Sequence, residues 1–234
     1  MEQHKRSDIT RLLHHPRYHK LGSAVRHPEK QLQIVPIPKC ASTWLKDVIR
    51  YLNWSEHNFV TKDTYTWSTL VILREPYDRW CSGMGEWIQR RFGRQHDSVK
   101  QFIKDLAKHH EDNPNITEWD DKWHWIEKIM ALGAPHDEHT EMQSAYLYNI
   151  DHTNMIAFNF DKSLSKQVSE WFKQELDIQN EFDLLKPKWL RRPQDVKSYV
   201  YNYLLSRKKV LLPYIKQVYK SDFVLYNNVM GNKE

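Results

Sequence analysis

The chain has 234 residues, a formal net charge of +5 and 40% hydrophobic residues. That length suits one domain with a sizeable core, and a mean hydropathy of -0.80 excludes a membrane-spanning helix. Its two cysteines, Cys40 and Cys81, form no CxxC pair, so a disulfide framework and a zinc ribbon are both excluded.

Residues 1–30 are basic and His-rich and contain no apolar core of a secretory signal. They read as a basic N-terminal arm with solvated histidines, ahead of a domain spanning residues 31–230. With no signal or anchor, the expected setting is cytoplasmic, with reduced thiols. Gln31 to Val35 predicts a buried strand. The helix after it carries Leu45, Val48, Ile49 and Leu52 at helical spacing, with Ser42 or Thr43 as cap. Asn53 to Asp63 reads as a connection. Ser68 to Leu73 is the clearest strand, and Pro76 suits the first turn of a helix that carries Trp80, Met84, Trp87, Ile88 and Arg91.

Further helices are expected over Val99 to His109, from Thr117 to a stop at Gly133, and over Glu138 to Tyr148, with a turn at Glu111 to Ile116. Asn154 to Phe158 predicts a third strand. Asp161 then caps a helix with Leu164, Val168, Trp171 and Phe172 inward. Lys186 to Arg192 is a basic loop, and Val196 to Val229 is helical and aromatic, with Pro213 starting the last helix. Two strand–loop–helix units with continuous apolar strands predict an α/β fold: a single domain whose central parallel β-sheet is flanked by helices.

The chemistry concentrates where the first strand ends, at Pro38-Lys39-Cys40-Ala41-Ser42-Thr43-Trp44. A strand, a small-residue turn and a helix N-terminus make an anion cradle, to which Lys39 adds a full charge. It is not the nucleotide-triphosphatase loop GxxxxGK[ST], because no glycine lies between Gly22 and Gly83. The second strand ends in Arg74-Glu75-Pro76-Tyr77-Asp78-Arg79-Trp80-Cys81-Ser82. Arg74 is able to fork onto a phosphate, and Ser82 follows eight residues later in the next helix. Arg79 reads equally as part of this site or as a surface ion pair.

Both motifs resemble those of sulfotransferases that use 3'-phosphoadenosine 5'-phosphosulfate (PAPS). The loop at Lys39 is similar to the 5'-phosphosulfate loop, and Arg74 with Ser82 to the 3'-phosphate motif. His139-Thr140-Glu141-Met142-Gln143 is similar to a His-x3-Gln segment of the carbohydrate-type members. The stretch Asn154 to Asp161, and the ending Tyr219 to Tyr226, also resemble that group. The resemblance covers Gln31 to Tyr226. It implies a P-loop-like nucleotide-binding core, PAPS as sulfuryl donor, adenosine 3',5'-bisphosphate as product, and a hydroxyl acceptor such as a carbohydrate or small metabolite. It further implies that Lys39, Cys40, Ala41, Ser42, Thr43, Trp44, Arg74 and Ser82 bind the donor. Many members have Gly where Ala41 stands. If that position needs a positive φ, Ala costs about 1 kcal/mol.

Sulfuryl transfer, like phosphoryl transfer, rests on positioning and charge neutralisation. Lys39 is the candidate for stabilising the bridging oxygen and departing phosphate. Trp44 either stacks the adenine or lies in the core. His139 is the leading general base, with His136, Glu138, Glu86 and Glu111 as competitors. Lys186, Lys188, Arg191 and Arg192 either close over the nucleotide or form a solvated loop. No metal is expected, since His136 and His139 lack a second ligand pair. Two other functions stay open: a nucleotide-dependent phosphotransferase, and a non-enzymatic binder of polyanion or nucleic acid.

Overall fold

The computed structural model describes residues 21–54, 57–92, 138–179 and 196–231, together with Gln101, Lys104, Lys108 and Asp112. The chain is α/β and divides into two compact units. One takes in residues 1–75, 142–189 and 224–234; the other takes in residues 76–141 and 190–223.

The sheet belongs to the first unit. Its strands are β1 (Ser23–Arg26), β2 (Leu32–Val35), β3 (His57–Phe59), β4 (Ser68–Leu73) and β5 (Met155–Asn159), in the spatial order β3-β1-β2-β4-β5. β2, β4 and β5 run parallel, with Val35 opposite Val71 and Leu73 opposite Asn159. β1 pairs antiparallel with β2 and with β3. The sheet is therefore parallel over three strands and carries an antiparallel flank.

Neither flanking strand is legible in the sequence. β1 lies inside the stretch read as a basic arm, which Ser23–Arg26 therefore does not join. β3 lies inside the connection Asn53 to Asp63. Each is too short for its periodicity to show. β1 is held by the ladder on both of its edges, and Ala24 and Val25 are buried there.

β2 and β4 are buried throughout their apolar runs, as for Ile34, Val35 and Leu70 to Leu73, while in β5 Ala157 and Phe158 are buried and Met155 and Ile156 half-buried. Helix α1 (Ser42–Tyr51) covers the core with Trp44, Leu45, Val48 and Ile49. The helix expected over Asp161 to Phe172 runs from Leu164 to Leu176 and buries Leu164, Val168 and Phe172, while Trp171 is half-buried against Phe158 and Phe172. Each such aliphatic or aromatic side chain gains on the order of 1.5–3 kcal/mol by leaving water. Asp161 lies two residues ahead of the cap position Ser163, where its Oδ1 accepts from the Ser163 N–H at 2.8 Å.

The second unit is built on α2 (Pro76–Phe92), which begins at Pro76 as expected and turns Tyr77, Trp80, Met84 and Ile88 inward. It packs closely on the helix Val196–Ser206. A Cβ on Gly85 would sit 2.7 Å from the Lys197 carbonyl, and the Lys197 ammonium meets Glu86 at 2.6 Å.

Two expectations are corrected. Only Gln143–Tyr146 of the stretch Glu138 to Tyr148 is helical; Glu138 to Thr140 form a turn. Pro213 lies inside the helix Lys208–Val218 rather than starting one. That position forgoes one backbone bond, and burial of Leu211 and Ile215 on either side holds the helix through it. The stretch Val196 to Val229 is helical as expected, in three helices of which the last is Lys220–Met230. Gln101, Lys104 and Lys108 are helical, as is Asp112 in the stretch read as a turn. The rest of Val99 to His109, the helix from Thr117 to Gly133 and the basic loop Lys186 to Arg192 lie outside the described residues.

Candidate functional site

Parallel pairing decides where the two motifs go. β2 and β4 are neighbours running the same way, with Ile34 opposite Leu70 and Val35 opposite Val71. The chain segments leaving their C-terminal ends must therefore emerge at the same edge of the sheet. That edge is where ligands sit in open α/β sheets. The first segment is Pro36 to Ala41 and the second begins at Arg74.

The loop is a strained connection. Cys40 N–H donates to the Ile37 carbonyl at 3.1 Å, closing a turn with Pro38 and Lys39 at its centre. Lys39 has φ 67 and Ala41 has φ 54, both left-handed and neither glycine. Left-handed backbone costs an L-residue on the order of 1–2 kcal/mol, and such strain collects at ligand-binding turns. The condition set on Ala41 is thus met: the position does have positive φ. Ala41 is also the residue that precedes helix α1, with no side-chain hydrogen bond capping that end. Neither Ser42 nor Thr43 caps it, because the helix starts at Ser42, ahead of the expected start, and takes Ser42 and Thr43 into its first turn. The first amides of a helix have no partner inside it. Lys39 and Ser42 are half-exposed and Thr43 is exposed, while Cys40 is wholly buried.

Arg74 meets this loop. Its guanidinium donates to the Lys39 carbonyl at 3.2 Å and stacks 4.6 Å from the centre of the Phe160 ring. Only 4% of Arg74 is exposed. Phe160 is set by its own amide, which donates to the Leu73 carbonyl at 2.8 Å. Trp44 takes the core alternative: it is 4% exposed among apolar side chains, and its indole Nε1 has no hydrogen-bond partner among the described residues.

One residue of this unit is given no role by the sequence reading. Gln143 is fully buried, and its carbonyl oxygen accepts from Arg74 N–H at 3.0 Å and from Cys40 Sγ at 3.1 Å. Its amide nitrogen donates to the Arg74 carbonyl at 2.9 Å. The His-x3-Gln pattern quoted above contains it and was the only signal for it.

Ser82 and His139 belong to the second unit. Ser82 is buried on α2. Beside it Gly83 gives room to the His139 carbonyl, which a Cβ there would overlap. His139 is 8% exposed, and its Nε2 lies 3.8 Å from Glu138 Oε1. Arg79 is not the surface ion pair that one reading offered. It is 1% exposed and donates to the Glu141 carbonyl. Tyr219 donates to the neighbouring Thr140 carbonyl at 2.6 Å. Burial raises the Tyr219 phenol far above its ordinary value, and Glu141 and Asp222 add to the rise while Arg79 opposes it. The segment after His139 is thus held by its backbone carbonyls at two successive residues, Thr140 and Glu141.

Among the competing bases, Glu86 is engaged by Lys197 at 2.6 Å and by Arg90 at 3.2 Å. His136 and Glu111, with the basic residues Lys186, Lys188, Arg191 and Arg192, lie outside the described residues. Comparison with protein-family models, with curated proteins and with solved structures finds no match to this chain.

Proposed function

We propose that the chain is a PAPS-dependent sulfotransferase with a P-loop-like nucleotide-binding core, transferring the sulfuryl group to a hydroxyl of a carbohydrate or small metabolite. One observation carries this reading. The strained loop at Lys39 and the strand-end Arg74 leave adjacent parallel strands at the same sheet edge, and Arg74 is bonded to the Lys39 carbonyl. An anion cradle and a buried guanidinium side by side suit a ligand with two phosphate-type groups better than a mononucleotide.

The residues fit the donor. Ser42 is half-exposed and Thr43 exposed at a helix N-terminus with no side-chain cap, so an oxyanion bound by their amides and hydroxyls gains both hydrogen bonds and the helix dipole. The half-exposed Lys39 ammonium neutralises charge on the phosphate oxygen as the S–O bond to it breaks. The acceptor oxygen forms the new S–O bond and gives its proton to a base, the role assigned to His139. Arg74, whose guanidinium donates to the Lys39 carbonyl, carries the planar fork that suits a phosphate. Ser82 is assigned to the same 3'-phosphate by the resemblance. Cys40 and Cys81 are buried and not joined in a disulfide, in keeping with a reducing, cytoplasmic setting.

The test is thermal unfolding with adenosine 3',5'-bisphosphate. A ligand at 100 times its Kd stabilises by about 2.7 kcal/mol, which for a chain of this size raises Tm by roughly 5–10 °C. No shift, or an equal shift with AMP, sinks the proposal. Unselective stabilisation by nucleotides would point to a phosphotransferase, and stabilisation by any polyanion that salt abolishes would point to a non-enzymatic binder.

A further inference from the structure

We propose that Gln143 is the positioning residue that fixes the spacing between the loop at Lys39 and Arg74, and thereby makes the protein select nucleotides phosphorylated at both the 5' and 3' positions over either monophosphate. This rests on the sulfotransferase reading and adds to it the origin of donor selectivity.

The geometry begins where the sheet stops holding. The β2–β4 ladder has its last pair at Val35 and Val71. Beyond it the first chain contains Pro36 and Pro38, which have no N–H to donate. The ladder itself therefore ends short of the loop and of Arg74. Gln143 replaces the ladder. Its amide accepts from Arg74 N–H at 3.0 Å and donates to Arg74 C=O at 2.9 Å, as a neighbouring strand would. The same oxygen accepts from Cys40 Sγ at 3.1 Å in the loop. One side chain thus bridges both anion-binding elements. It is 0% exposed, and it, Arg74 and Cys40 all lie in the same unit.

The chemistry calls for an amide. Only a group with both a donor and acceptor lone pairs satisfies the Arg74 N–H and C=O together. A carboxylate accepts twice and donates nothing; an aliphatic chain does neither and leaves buried backbone groups unpaired. Gln143 touches no ligand in this scheme. Each phosphate subsite keeps its own groups without it, and what is lost is their separation.

The experiment measures Kd of the full chain by calorimetry for adenosine 3',5'-bisphosphate, AMP and 3'-AMP, in wild type, Gln143→Met and Gln143→Glu. For Gln143→Met, loss of its three hydrogen bonds predicts bisphosphate binding weaker by about 10- to 100-fold, with each monophosphate weakened less than about threefold. Gln143→Glu behaves the same at pH 8. Full burial at this position favours the neutral carboxyl, so near pH 5 it is protonated and donates to the Arg74 carbonyl, and the bisphosphate preference returns toward that of wild type at the same pH. Should Gln143→Met fail to fold, Cys40→Ala removes the bond to the loop alone and lowers the preference about threefold, while Cys40→Ser, which keeps a donor, retains it.

An equal loss for all three ligands, or an unchanged preference, overturns the role of Gln143 and leaves the sulfotransferase reading standing. A wild-type protein with no preference for the bisphosphate overturns both.

Discussion

Ala41 offers a direct measure of strain in the anion loop. At φ 54 it is left-handed, and it precedes helix α1 with no side-chain cap. Replacing it with Gly removes a penalty of about 1–2 kcal/mol. Against this stand the extra backbone entropy of Gly in the unfolded chain, about 0.5–1 kcal/mol, and a half-buried methyl, about 0.4 kcal/mol at half the cost of a buried CH2. The net runs from a loss of about 0.4 to a gain of about 1.1 kcal/mol, with a midpoint gain of about 0.35 kcal/mol, or a rise in Tm of roughly 1 °C. Ala41→Asn gains as well, since Asn tolerates the left-handed region and its side chain is able to cap. Ala41→Val puts a β-branched side chain at positive φ and lowers Tm by several degrees. Ala145→Gly, in the helix Gln143–Tyr146, serves as control and costs about 1 kcal/mol. Calorimetric Tm values decide the matter. A Val variant as stable as wild type, or a Gly variant that loses as much as the Ala145 control, would mean that the loop does not turn through a left-handed residue at Ala41.

Other outcomes follow from the same geometry. Lys39→Ala abolishes sulfuryl transfer while still binding adenosine 3',5'-bisphosphate, whereas Arg74→Ala chiefly weakens donor binding; steady-state kinetics beside calorimetry separate the two. Gly83→Ala drives a Cβ into the His139 carbonyl and costs about 3 kcal/mol or more, whereas Gly231→Ala, with open space around it, leaves Tm unchanged. Tyr219→Phe leaves the buried Thr140 carbonyl without its donor, at a cost of about 1–3 kcal/mol. The Tyr219 phenol is raised in the folded state, above all by burial, so the stability it contributes is full below the unfolded value near 10 and falls as pH rises past it. The gap between wild type and Tyr219→Phe therefore narrows by about 1.4 kcal/mol per pH unit above pH 10, and denaturant titrations at pH 9 and 11 read it.

What the sequence disclosed about the fold followed from the length of its signals. Ser68 to Leu73 and the helix from Pro76 are long apolar patterns with a clear boundary, and both stand where expected. β1 and β3, of four and three residues, are set by neighbours distant in the chain and leave no local trace. Pro213 was misplaced because a proline weighs heavily in a local reading, while burial of Leu211 and Ile215 outweighs it in the fold. At the candidate site, charged and hydroxyl-bearing residues such as Lys39, Arg74, Ser42 and Thr43 announce themselves by type and spacing. Gln143 does not, because its part depends on three hydrogen bonds to residues 69 and 103 positions away.

The parallel pairing of β4 with β5 has a kinetic side. Leu73 and Asn159 meet across about 85 residues of chain that include most of the second unit. Closing so long a loop costs about 2 kcal/mol more than closing one of ten residues, and the ladder returns nothing until its strands meet. Pairings of this range slow folding. β5 is therefore expected to join the sheet late, after β1, β2 and β3 have paired within their own stretch, Ser23 to Phe59. Until it does, β4 presents an open apolar edge, and the time before closure is when the refolding chain is most exposed to aggregation.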